Sequence, residues 1–296
     1  MAIPSYADTI SLRGGIGLGA GSDYTYALDR NTSPNAQITT NFGGGGFGSI
    51  TFADTAGFWG NPMEYGMSFG FLDGSDGTNR PTNSACSILT FLGTVSDCID
   101  TANTENLTVW LDGAVMFSFG AEHGTAGTEF LAGAGGLIFS NNVDVDYLYP
   151  SGFSYFAEQN TRFAGLGVRV GARHRVGLNN GKALQLEGFL GGYRGRRTTN
   201  VAGGDLIGGV RSLRDAEINS EMANVAVLEF SPSLLSDASW AGDNAEFEIG
   251  LNIRHMIGVN DSRNYGDRLD ILDLEGGKER DSVTAVSLFA GLNYQF

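Results

Sequence analysis

Arg169, Arg173 and Arg175 recur at alternate positions in one stretch of chain. In an extended strand alternate side chains share a face, so these three form a basic ladder. Glu64, Asp112, Glu187, Glu229, Glu246 and Glu248 each fall on the polar side of a similar alternation elsewhere, and Arg13 and Arg254 do the same. If these faces look onto a narrow enclosed space, two arrangements are open. Basic and acidic walls that stay apart set a transverse field across the bore, which would orient and sort small polar solutes. The same groups can instead pair across strands, notably Arg173 or Arg175 with Glu187, and plug the space.

The elements that carry these residues alternate with period two along most of the chain. At the C-terminus Val286, Leu288, Ala290, Leu292, Tyr294 and Phe296 share one face, opposite Ala285, Ser287, Phe289, Gly291, Asn293 and Gln295. Similar strands are predicted at residues 9–19, 63–71, 106–119, 163–177, 184–193, 218–235 and 247–257. A return strand with Ile38, Phe42, Ile50 and Phe52 in register is interrupted by Gly43 to Gly46. Residues 128–140 are small or apolar on both faces, so their register is ambiguous. The connections alternate between short (55–61, 120–127, 178–183, 236–243) and long (73–105, 141–160, 195–217, 258–281).

Charged residues make up 17% of the 296-residue chain, and no run approaches the 18 apolar residues of a membrane helix. Charges gather on one face of strand after strand and Leu, Ile, Val and Phe on the other. That is the inverse of a soluble sandwich and the pattern of a closed barrel in lipid. We therefore expect an all-β fold: a transmembrane, antiparallel, up-and-down barrel of ten strands forming one domain over residues 1–296, with twelve open if residues 73–105 or 141–160 hide a further pair. Residues 1–5 lack a charged n-region and an apolar h-region, so a secretory signal is absent or was replaced by an initiator Met.

The terminal strand ending on Phe296, with the alternation and the loop rhythm, resembles Gram-negative outer-membrane β-barrels, and the likeness runs over the whole chain. It implies a bacterial outer-membrane location. It also implies that Leu292, Tyr294 and Phe296 form the signal read by the barrel-assembly machinery and close the barrel against the first strand. Membrane lipid and lipopolysaccharide would be partners. More narrowly, residues 162–171 followed by 184–188 resemble the central hairpin of the Legionella major outer-membrane protein family of pore formers.

Other chemistries fit less well. Outer-membrane phospholipases and deacylases pair a His with a Ser two residues on; His123, His174 and His255 have no such Ser. Omptin-like proteases use carboxylate pairs with an Asp–His pair at the external rim. Asp144 and Asp146 are paired here, but no His falls in a predicted external loop. The expectation is no enzyme. Residues 15–20 fit a loose dinucleotide pattern, but no helical period follows. No cofactor is expected. The acidic loop with Asp261, Asp267, Asp270, Asp273 and Glu275 is either solvated or a divalent-cation site, and it lacks the EF-hand pattern. With 18 Lys+Arg and a net charge of −15, nucleic acid is not an expected partner. Cys86 and Cys98, both in one predicted external loop, read as a disulfide in an exported chain. The expected function is passive diffusion of small polar or ionic solutes. The alternatives are a closed structural or recognition barrel acting through its loops, and a membrane-embedded hydrolase. The oligomeric state is not legible.

Overall fold

In a computed structural model, the residues described are 8–20, 24–28, 36–40, 43–58, 61–74, 76–79, 88–90, 93–95, 101–121, 125–148, 154–179, 181–242, 244–260, 274–276 and 282–296. Ten strands form the barrel: β1 (Thr9–Ala20), β2 (Gly44–Phe58), β3 (Asn61–Asp73), β4 (Thr101–Gly120), β5 (Gly127–Leu148), β6 (Ser154–Gly177), β7 (Lys182–Ile207), β8 (Val210–Asp237), β9 (Ala245–Ile257) and β10 (Ser282–Gln295). Each pairs antiparallel with its neighbours in sequence, and β1 pairs with β10, so the sheet has no free edge. The seam matches Leu12 to Leu292 and Ile10 to Tyr294. It is extended by reciprocal backbone hydrogen bonds between Asp8 and Phe296, of 3.1 and 3.0 Å. Among the described residues, short strands at Tyr24–Leu28, Ala36–Thr40 and Leu274–Gly276 form a separate sheet, and Asp76–Asn79 adds to the upper edge of β4.

The period-two residues fall where their parity requires. Ile16, Leu18, Phe69, Leu166 and Val168 are exposed on the outer wall, while Arg173, Asp112 and Glu248 are buried on the inner one. Near the short turns, Phe52 packs against Tyr65 and Phe296, and Phe296 against Tyr294, with ring centroids 6.1–6.4 Å apart. Apolar side chains exposed around a closed wall, ringed by aromatics at one rim, are solvated by lipid. An even-stranded, single-chain barrel of this form belongs to the bacterial outer membrane. The short turns then mark the periplasmic side.

Three expectations need correction. The apolar period predicts loops at residues 141–160 and 195–217. Instead β5 runs on to Leu148, β6 begins at Ser154, and β7 and β8 continue to a tight turn at Gly208 and Gly209, whose φ values are 59° and 82°. Above the membrane both faces of the wall leave lipid, so the apolar period disappears while the hydrogen-bond ladder continues. Residues 36–40 do not form one strand with 44–58; they pair with 24–28 instead. The interruption itself falls where the glycines begin, at Gly43 with a φ of 63°, and β2 carries a further irregularity between Asp54 and Phe58. Cys86, Cys98, His123 and the acidic stretch 261–273 lie outside the described residues.

Candidate functional site in the bore

The inner wall carries three tiers of side chains. The lowest, nearest the periplasm, is charged, and Arg173 is its centre. Its Nη1 donates to Glu64 Oε2 at 3.0 Å and Glu129 Oε2 at 2.8 Å, and its Nη2 donates to Glu187 Oε1 at 2.8 Å. Those carboxylates come from β3, β5 and β7, which flank or face β6. Arg13 on β1 donates to the other Glu187 oxygen and to Glu248 on β9, both at 2.9 Å. One step higher, Arg169 donates to Glu229 at 2.9 Å and Asp112 at 3.4 Å. Arg254 pairs with Asp112 and donates to Ser68 Oγ at 3.1 Å. Arg175 pairs with Glu246 at the periplasmic mouth. The guanidinium of Arg169 lies over the Phe189 ring at 4.2 Å and that of Arg254 over Trp110 at 5.9 Å, which supports their planes within the bore.

Arg13, Glu64, Asp112, Arg169, Arg173, Arg175, Glu187, Glu229, Glu246, Glu248 and Arg254, the residues expected on the lumen face, therefore all project inward and are joined by ion pairs. Glu229 also accepts from Asn252 Nδ2 at 2.8 Å. The charges do not separate into basic and acidic walls. Each arginine is set among carboxylates from other strands, which is the pairing alternative in a more connected form than Arg173 with Glu187 alone. Sequence reasoning misses Glu129. It sits on β5, where Ala132 to Gly136 give both faces the same small residues, and only its pairing opposite Arg173 reveals its direction.

The second tier is apolar. Trp110, Leu137, Phe139, Phe163, Tyr193, Val225 and Met256 form one buried cluster across the bore. Glycines on the neighbouring strand or two residues along the same one make room for the rings. A Cβ at Gly70 would lie 2.1 Å from the Trp110 ring, and one at Gly165 would lie 2.5 Å from Phe163. The third tier is polar: Asn141 Nδ2 donates to Asn106 Oδ1 at 2.7 Å and Thr108 Oγ1 at 2.8 Å, while Arg197 pairs with Glu221 and donates to the Gly258 carbonyl at 3.1 Å. Below the charged tier a polar cavity of about 290 Å³ opens at the periplasmic mouth, lined by Ser11, Gln185, Glu246 and Asn293 and ending on Arg13 and Arg173.

Two histidines stand on lipid-facing positions, each with a threonine directly opposite. His174 bonds Thr128 at 2.9 Å and His255 bonds Thr284 at 2.7 Å, so each ring has a polar partner within the wall. Among the described residues no group of His, Cys, Asp and Glu is arranged to hold a metal ion.

No family model matches the sequence, and no curated protein matches it. Several solved structures share the barrel form. The outer membrane protease OmpT of Escherichia coli is 10% identical, with 100% of this chain and 99% of that chain covered and a TM-score of 0.47. The toluene transporter TodX of P. putida is 10% identical, with 99% and 91% covered and a TM-score of 0.39. A major outer membrane protein of Thermus thermophilus is 12% identical, with 98% and 99% covered and a TM-score of 0.36. The expectation that the chain is not an enzyme is corrected here. A protease stands beside transport barrels among the similar folds, so a barrel of this form does not exclude catalysis. The Legionella pore formers are not among the similar structures named.

Proposed function

We propose that the protein is a narrow outer-membrane channel for small polar or ionic solutes, closed in this conformation by its ion-paired tier and the apolar tier above it. The observation that carries this reading is the polar cavity of about 290 Å³ that enters from the periplasm and stops at Arg13 and Arg173. It is a water-accessible path that ends on charged side chains rather than on backbone. An apolar constriction above such a vestibule excludes water until it widens, which is a recognised way to gate a pore. The hairpin that resembles the Legionella pore formers is also the one that delivers Arg169 and Arg173. Counting Arg13, Arg169, Arg173, Arg175 and Arg254 against Glu64, Asp112, Glu129, Glu187, Glu229, Glu246 and Glu248 gives five cations and seven carboxylates, an excess of two negative charges if all are ionised. The open bore would favour cations.

Single-channel recording tests this. Wild type in planar bilayers is expected to stay closed with rare openings. Arg173→Gln, which unties three carboxylates at once, is expected to open more often and to shift the reversal potential further toward cations. That shift should shrink as salt rises from 0.1 to 1 M and the Debye length falls from about 10 to about 3 Å. If folded wild type and folded Arg173→Gln are both silent, the channel reading fails. Recognition at the outer rim then takes its place, a reading favoured by the way β4 to β8 rise past the bilayer.

A further inference from the structure

The lipid-facing wall carries three arginines that the bore does not use. Arg162 on β6 and Arg194 and Arg196 on β7 are all exposed on the outward parity, and none has an ion-pair partner among the described residues. Arg196 Nε donates to Ser220 Oγ at 2.7 Å. The outward carboxylates Asp144, Asp146 and Glu158 are taken by Arg211 further up the rim. Arg194 stands roughly 30 Å of barrel height above the turn at Lys182, given a rise of about 3.4 Å per residue and a tilt of about 40°. That is the upper limit of the apolar belt, on the side away from the short turns. At the midplane an arginine facing lipid costs about 2–4 kcal/mol, and near the interface about 0–1. Three unpaired cations together at this level call for anions.

A second observation lies beneath them. Two adjacent hydrogen-bonded rows climb the tilted wall, Met67–Gly113–Gly136–Leu166–Arg194 and Phe69–Leu111–Ile138–Ala164–Arg196. Gly113 and Gly136 project no side chain, and the wall there sinks into a shallow apolar groove of about 610 Å³ that ends at Arg194. An apolar furrow leading up to a guanidinium cluster at the headgroup level matches an acyl chain attached to a phosphate.

We propose that this face binds a phosphorylated lipid of the outer leaflet, with an acyl chain along the groove at Gly113 and Gly136 and a phosphate on Arg162, Arg194 and Arg196. Guanidinium–phosphate pairing is charge-assisted and geometrically selective, and the groove supplies contact that a free anion lacks. The inference is independent of whether the bore conducts.

Native mass spectrometry of the detergent-solubilised full chain tests it, with bis-phosphorylated lipid A and its dephosphorylated counterpart as probes. Wild type should prefer the phosphorylated form. Arg162→Gln/Arg194→Gln/Arg196→Gln should lose that preference, with affinity for the phosphorylated form falling about tenfold or more. Gly113→Leu should weaken both forms by filling the groove, since a Cβ there meets nothing nearer than the Gly66 carbonyl at 3.6 Å and the wall is left intact. Inorganic phosphate at equal concentration should not compete. Equal binding of the two lipids by wild type, an unchanged triple variant, an unchanged Gly113→Leu, or full competition by inorganic phosphate would each overturn the proposal.

Discussion

Arg173 and Arg211 each sit among three carboxylates, yet in opposite surroundings. Arg173 is 6% exposed inside the barrel, held by Glu64, Glu129 and Glu187. Arg211 is exposed on the outer rim, where Asp146 lies at 2.8 Å, Glu158 at 2.5 Å and Asp144 at 3.5 Å, with the Phe156 ring 5.1 Å from its guanidinium. The composition of the two clusters is nearly the same. What differs is water. In the bore, removing the cation strands Glu64, Glu129 and Glu187, each at most 5% exposed at the closed end of the periplasmic cavity, with little water to replace it, so the pairing is structurally obligatory even if an apolar replacement of the whole cluster would serve as well. At the rim, solvent and salt can replace any partner. One cluster therefore fixes the bore, and the other decorates an edge.

The largest expected effect breaks the buried member. Arg173→Gln should lower stability by about 3–5 kcal/mol, because Glu64, Glu129 and Glu187 lose a shared counter-ion in a place of low polarity. Urea unfolding from micelles or liposomes measures it. A loss below about 1 kcal/mol would mean that the charged tier is wet and that the contrast between the two clusters is not one of solvation.

Next comes a test of the wall that separates these environments. Val115 faces lipid on β4, and Val115→Arg should cost about 2–4 kcal/mol near the midplane. A water-filled lumen would tolerate Ala114→Arg. But Ala114 is buried against Met116, Leu131 and Phe189 inside the barrel, so that change should be destabilising too, through overpacking and an unpaired charge. Paired urea titrations of the two variants distinguish a filled bore from an open one. Free tolerance at Ala114 would count for the open bore.

Much of this arrangement could be read from the residues, for reasons that also explain where reading stopped. Period two is strict where one face meets lipid and the other does not. This is why β3, β4, β9 and β10, and the inward direction of Arg169, Arg173 and Glu187, are legible. It fails in three places. On β5 small residues on both faces hide Glu129. Above the bilayer, β5 to β8 have no lipid side, so their polar extensions read as loops. In the bore, Trp110, Phe139 and Phe163 are apolar residues on the inner parity, and although Tyr193 reads as inward, a rule that assigns apolar side chains to lipid cannot anticipate an apolar tier inside. Nor does parity give partners. Arg254 and Asp112 meet across 142 positions of sequence, and only closure of the barrel brings them together.

The exposed cluster should respond weakly. Arg211→Ala is expected to change global stability by only about 0–1 kcal/mol, and less at high salt, by the same urea titration. A loss matching that of Arg173→Gln would erase the distinction between rim and bore.

The smallest effect concerns Asp144 at that rim, and its sign is determined. Partial burial, then Glu158, raise its pKa above the ordinary aspartate value; Arg211 opposes the shift, and Glu105 adds to it. Glu158 and Glu105 are its direct cross-strand partners on β6 and β4, so three carboxylates lie side by side. A raised pKa in the folded state means that the ionised form is penalised there. The penalty is complete above the folded pKa and vanishes as pH falls below the ordinary aspartate range, near about 4. Asp144→Asn should therefore protect the upper ends of β5 and β6 at pH 7 and make no difference near pH 3. Because water screens the site, the gain is at most about 1 kcal/mol. Hydrogen exchange of backbone amides at residues 141–148 and 154–160, compared at the two pH values, reads this locally. If Asp144→Asn speeds exchange at pH 7, the carboxylate's attraction to Arg211 outweighs its crowding by Glu105 and Glu158. The rim cluster would then be a smaller copy of the one around Arg173.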